Sequence, residues 1–220
     1  MEPPMSLMFR TALLLACLLS LGMASGCNYL GFLGQAGRAD EEIYEVSGQY
    51  LGLEGKSIAV MVVADEYLLF NYPHAQLGVA RAVSARLADN MPTVTVMDPA
   101  QILAFQNNNP YWHAIAYGEL IQKMRVDAIV LIDLIEYQTH EPGNAHIWQG
   151  QITGNVGVIL ADSPTPDDFV FYTAVRALFP EDRAVGIINS DEQTIQLGML
   201  SIFSRDAGGL FYDHTIVKPR

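Results

Sequence analysis

Cysteine is scarce in this chain, and basic side chains are half as many as acidic ones. It carries 2 cysteines, one of them inside the amino-terminal apolar run, so no disulfide framework is available to hold the fold. Lys and Arg together number 12 against 24 Asp and Glu, a formal net charge of −12. The basic residues nowhere cluster, and an acidic surface repels phosphate backbones, which excludes nucleic acid as a partner. No apolar run approaches the roughly 20 residues needed to cross about 30 Å of hydrocarbon, which excludes a spanning helix of ordinary length. What is present in quantity is hydrophobic side chain, at 50%, and that rules out a disordered or collagen-like polymer. At 220 residues the length fits one compact domain with an appendage, able to bury a core without disulfide or metal staples.

The appendage is at the amino terminus. Thr11–Leu21 (TALLLACLLSL) is an apolar run preceded by Arg10 and followed by small residues up to Cys27, the layout of a secretory signal. Glu2 sits oddly in the basic region of such a signal. A start at Met8 gives MFR directly before the apolar run, so translation is expected to begin downstream of Met1. The segment Ala24-Ser25-Gly26-Cys27 resembles the bacterial lipobox, whose cysteine is acylated and becomes the new amino terminus. Ordinary cleavage after Ala24 is the alternative, with Gly22 and Ala24 as the small residues. Acylation accounts for a mature chain with a lone cysteine at its first position, and several acyl chains exceed what stable anchoring needs. The expected organisation is a signal peptide over 1–26, the lipidated Cys27 with a glycine-punctuated tether over 27–55, and a domain over 56–220.

Within the domain, Ser57–Ala64 (SIAVMVVA) is a continuous apolar, β-branched run of the length of a buried strand. Pro73–Asp89 repeats apolar residues at helical spacing, with Asn71 or Tyr72 near its cap. Thr93–Met97 is a short strand, and Asp98-Pro99 opens a brief helix, Asp as cap and Pro at the first position. Tyr111–Arg125 reads as a helix, Val126–Tyr137 as a strand, Thr139–Ala145 as a loop and Ile147–Leu160 as a long strand. Phe169–Val175 then pairs antiparallel with that strand. Ser190 to Gln193 has capping-box spacing and opens a helix reaching about Phe211. The predicted class is α/β, a single mixed β-sheet with helices packed on it, in the order β-α-β-α-β-β-β-α.

A lipobox, a linker, SIAVMVVA, a helix, VTVMDPAQILAFQ, and a helix running into VDAIVLIDLIEY together resemble a group of bacterial envelope proteins. The group includes the curli-secretion channel lipoprotein CsgG, the lipoprotein activators of penicillin-binding proteins, and the amino-terminal domain of TolB. The resemblance covers roughly Lys56 to Phe211. It implies a periplasm-facing α/β domain that binds other envelope proteins and performs no reaction. Asn28 stands where an Asp marks inner-membrane retention in enteric lipoproteins, so the resemblance also implies the outer membrane. A channel subunit of an oligomeric ring is the alternative. It requires spanning strands of about 9–11 alternating residues, and only Ile147–Leu160 approaches that, its expected partner being short.

Candidate chemistry is sparse. The best metal constellation is Glu136, His140, Glu141 and His146, whose spacing fits no zinc pattern and which falls in the predicted loop; these read as solvated residues. There is no Gly-x-Ser-x-Gly, Ser-x-x-Lys or His-Glu-x-x-His, and Gly31–Gly37 and Gly150–Gly154 lack the setting of a phosphate loop. No catalytic, metal or cofactor residue is therefore assigned. Asp133 with Glu136 is the one pair that a glycan hydrolase would use. The aromatics point elsewhere. Tyr67, Phe70 and Tyr72 follow the first strand, and Tyr111 and Trp112 follow the second, so both groups are expected at the carboxyl edge of the sheet. Clefts of open α/β sheets lie there, and these rings are the candidate anchors for a protein partner.

Overall fold

The computed structural model describes residues 42–218 apart from 142 and 182–186. The signal peptide, Cys27 and most of the expected tether lie outside the described residues. Two compact units are distinguished, one of residues 47–214 and one built from the two flanking segments.

The larger unit is a five-stranded mixed sheet in the order β3-β2-β4-β5-β6. The strands are β2 (Ser57–Ala64), β3 (Thr95–Val96), β4 (Ala128–Glu141), β5 (Asn144–Leu160) and β6 (Phe171–Phe179). β2 runs parallel to both β3 and β4, whereas β4, β5 and β6 are successively antiparallel. As the central parallel strand β2 is covered on both faces, which is why its sequence is apolar without alternation. Ile58, Val60 and Val62 enter one core and Ala59 and Met61 the other.

Among the described residues five α-helices pack on the sheet: α1 (Glu66–Asn71), α2 (Ala75–Asn90), α3 (Pro99–Asn108), α4 (Tyr117–Met124) and α5 (Glu192–Gly208). α2 and α5 build the larger core with Val79, Val83, Met199 and Phe203 against Val130, Ile132 and Val156. α3 and α4 build the smaller one with Ile102, Leu120 and Ile121 against Ile129, Leu131 and Ile159. α3 begins where Asp98-Pro99 predicts, the Ala100 N–H donating to Asp98 Oδ1 at 2.9 Å.

Four expectations are corrected. The capping residue of α5 is Asp191, not Ser190: its carboxylate accepts from the Thr194 N–H at 3.0 Å and from the Thr194 hydroxyl at 2.8 Å. Residues 112–114 form a separate 3-10 turn ahead of a shorter α4. The expected loop at 139–145 is mostly strand. β4 runs on to Glu141 and pairs with β5 to the tip at Glu141↔Asn144, beside Gly143 with φ +81°, a value that favours glycine. Finally, the sheet is not single. β1 (Glu42–Val46), inside the expected tether, pairs with β7 (His214–Lys218) in a separate two-stranded sheet.

Candidate functional site

β2 ends at Ala64, and the chain turns at Asp65, whose carboxylate accepts the Leu68 N–H at 2.6 Å and so starts α1. This one-and-a-half-turn helix buries only Leu68. Tyr67 and Phe70, three apart and therefore neighbours on the outer face, are 79% and 84% exposed. Asn71 donates from its side chain to the Tyr67 carbonyl at 2.8 Å and closes the turn. Tyr72 is half-buried, its ring 5.0 Å from that of Tyr137. The Tyr137 phenol is pushed up to about 12, by desolvation first and then by Tyr72 and Glu192.

Between α1 and the outer half of the β4–β5 hairpin lies an open cleft of about 620 Å³, lined among others by Asp65, Tyr67, Tyr72, Ile135, Glu136 and His140. Its Glu136 carboxylate is occupied. Thr153 Oγ1 donates to it at 2.8 Å, the Gln151 amide donates to the same oxygen, and Arg176 in turn donates to Gln151 Oε1 at 3.0 Å. His140 stacks on its cross-strand partner Trp148 at 4.0 Å. Among the described residues no group of three or more His, Cys, Asp or Glu is placed to hold a metal ion.

Tyr111 and Trp112 reach the same edge of the sheet on its opposite face. The alternation of β2 decides this: Val62 points to the α2/α5 core and Val63 to the α3/α4 side. Tyr111 is 80% exposed, and Trp112 packs half-buried on the smaller core. The five candidate aromatics thus do not form one platform. Tyr67 and Tyr72 line the first cleft, while Trp112 lines a second of about 280 Å³ together with Tyr117, Asp133, Phe169 and Tyr172. Asp133 and Glu136 line different cavities although the register shift between Leu134 and Glu136, which pairs Asp133 with Asn155 and Glu136 with Thr153, leaves both on the same face of the sheet.

The aromatic set of the second cleft was not legible as a set. Tyr117 opens α4, Phe169 lies ahead of β6, and Tyr172 is within it. The expected strand from Phe169 begins only at Phe171, which frees the Phe169 ring to stand over β5. The signal available in advance was Gly157, the last of three glycines in β5, since a strand glycine marks a place of close approach.

Neither a family model nor a curated protein matches the chain. Solved structures similar to it include PelC of Paraburkholderia phytofirmans, a dodecamer, at 12% identity over 78% of this chain and 97% of that one, TM-score 0.47. Lipoprotein GNA1162 of Neisseria meningitidis is similar at 15% identity over 64% and 90%, TM-score 0.43. A protein of Xanthomonas campestris is similar at 10% identity over 75% and 88%, TM-score 0.43. At these scores the likeness carries over neither an activity nor an assembly.

Proposed function

We propose that this chain is a lipid-anchored bacterial envelope protein, held at the outer membrane through Cys27 and facing the periplasm. Its domain binds partner proteins in envelope assembly, secretion or cell-wall maintenance and catalyses no reaction. The observation that carries the reading is α1, which turns Tyr67 and Phe70 almost wholly into solvent beside a large open cleft. Large rings held outward on a capped helix lose little conformational entropy on docking and make effective interface anchors. The lipobox-like Ala24–Cys27 and an element order that resembles the CsgG group support the envelope setting.

One observation favours the channel alternative. β5 has a partner of comparable length in β4, 14 residues against 17, where only a short partner was expected. Against it, the hairpin packs one face on α5, with Ile152 and Met199 in the same core. Its other face carries Glu136, Gln151 and Thr153, side chains that a lipid-facing strand excludes.

Light scattering of the acylated chain in mild detergent, beside a Cys27→Ala chain, tests both. A monomer or dimer in each, with loss of membrane association in Cys27→Ala, supports the tethered binding protein. A large closed ring formed only with the lipid overturns it in favour of the channel.

A further inference from the structure

The second cleft has a floor and walls of contrasting chemistry. The floor is a cross-strand row in register, Val63 on β2, Asp133 on β4 and Asn155 on β5, with Leu131 opposite Gly157 one step deeper. Four rings stand around it. Phe169 lies 5.5 Å from Tyr117 and 5.1 Å from Tyr172, and Trp112, with His113 beside it, completes the aromatic lining. Phe169 occupies the space over Gly157, where a Cβ would come within 2.5 Å of its ring. The Gly118 N–H donates to Asp167 Oδ1 at 2.8 Å, tying the start of α4, and Tyr117 with it, to the loop that carries Phe169.

Asp133 is the anomaly. It continues the apolar row Ile129–Leu131, it is exposed, and among the described residues none hydrogen-bonds or ion-pairs with its carboxylate. Among the described residues no lysine or arginine lines the cavity, and the exposed His113 is its one basic side chain. An anion would meet this carboxylate and the negative ring faces. A neutral apolar molecule would strip water from the carboxylate without replacing it. A hard metal ion needs about six oxygen ligands, and Asp133 is the one carboxylate in this lining. A cation with an apolar surface satisfies both features, since an alkylammonium gains from rings within about 6 Å and from one facing carboxylate. The space, about 280 Å³, suits a compact head group.

We propose that this cavity binds a compact alkylammonium group, such as trimethylammonium, with Trp112, Tyr117, Phe169 and Tyr172 around the cation and Asp133 as its counter-charge. The group can come from a free small molecule or from a lipid head group. The site shares no lining residue with the cleft beside α1, so it stands or falls independently of the protein-partner reading.

Calorimetric titration of the full chain in a maltoside detergent tests it, with choline as ligand and 3,3-dimethylbutan-1-ol as its uncharged isostere. Choline is expected to bind at least about tenfold more tightly than the alcohol. Asp133→Asn and Tyr172→Leu, both at exposed side chains, should each weaken choline about tenfold while leaving the circular dichroism spectrum and melting temperature unchanged. Equal binding of choline and the alcohol, or choline binding indifferent to Asp133→Asn, overturns the proposal. A second arm measures co-flotation of the Cys27→Ala chain with phosphatidylcholine and phosphatidylglycerol vesicles. Asp133-dependent flotation with phosphatidylcholine alone assigns the head group. Free choline binding without flotation assigns a small molecule, and neither result overturns the site.

Discussion

The Gln106 side-chain amide donates to the Val62 carbonyl at 3.0 Å, and that oxygen also accepts the Gln76 amide at 2.8 Å. The reason is β3, which pairs with β2 only at Ser57 and Ile58. Beyond that point the edge of β2 has no strand beside it, and an unpaired carbonyl in this interior would be costly. One glutamine from α2 and one from α3 replace the missing strand, and they bond to each other at 3.2 Å. Gln106→Leu should therefore lower stability by about 1 kcal/mol, and Gln76→Leu with Gln106→Leu by more than the sum of the single changes. Urea denaturation of the four chains in that cycle measures it, and simple additivity would contradict the shared-acceptor account.

Asp127 ties the start of β4 to that of β2. Its Oδ2 accepts the Ser57 hydroxyl at 2.6 Å and the Ser57 N–H at 2.8 Å. The Ser57 side chain first, and its backbone second, hold the carboxyl below the usual aspartate range. A depressed folded-state value stabilises the native chain above the unfolded value of about 3.9, and that contribution is lost as pH falls through the folded one. Melting temperature should fall less steeply between about pH 5 and 3 in Asp127→Asn than in the parent. Parallel curves would contradict the assignment.

Gly157→Ala should disturb the second cleft more than the fold. The added Cβ meets the Phe169 ring at 2.5 Å, and a ring at the mouth of a cavity swings away more readily than backbone. The expected outcome is a loss of about 1–2 kcal/mol in denaturant with a greater than tenfold fall in choline affinity. Preserved choline affinity would show that Phe169 is not a wall of the site.

Phe70→Ser separates binding from stability. A residue 84% exposed contributes little to the core, so denaturant stability should stay within about 0.5 kcal/mol of the parent. A photo-crosslinker placed at Phe70 in cells should join the chain to an envelope protein, and Tyr67→Ser should reduce that product several-fold. An intact crosslink yield in Tyr67→Ser would remove α1 from the binding surface.

Local hydrogen bonding is what made parts of this fold legible. Asp98-Pro99 opens a helix because a carboxylate two residues away caps it, whatever the rest of the chain does. SIAVMVVA reads as a doubly covered strand because a continuous apolar run of that length has few other uses. α1 is illegible in the sequence because six residues with one buried side chain carry no period. The extension of β4 is illegible because Gln138, Thr139 and His140 are polar, although Thr139 is 2% exposed in the hairpin.

The sequence by itself determined the charge balance, the β-α order of the domain and the aromatic enrichment beyond β2. Each depends on composition or on residues within one turn of one another. Only the tertiary structure decided that Val62 and Val63 send the two aromatic groups to opposite faces, that Asp133 lies in register with Asn155 beneath four rings, and that β1 finds β7. Those outcomes depend on strand register and on closure of long loops, where one residue of slip reverses every side chain.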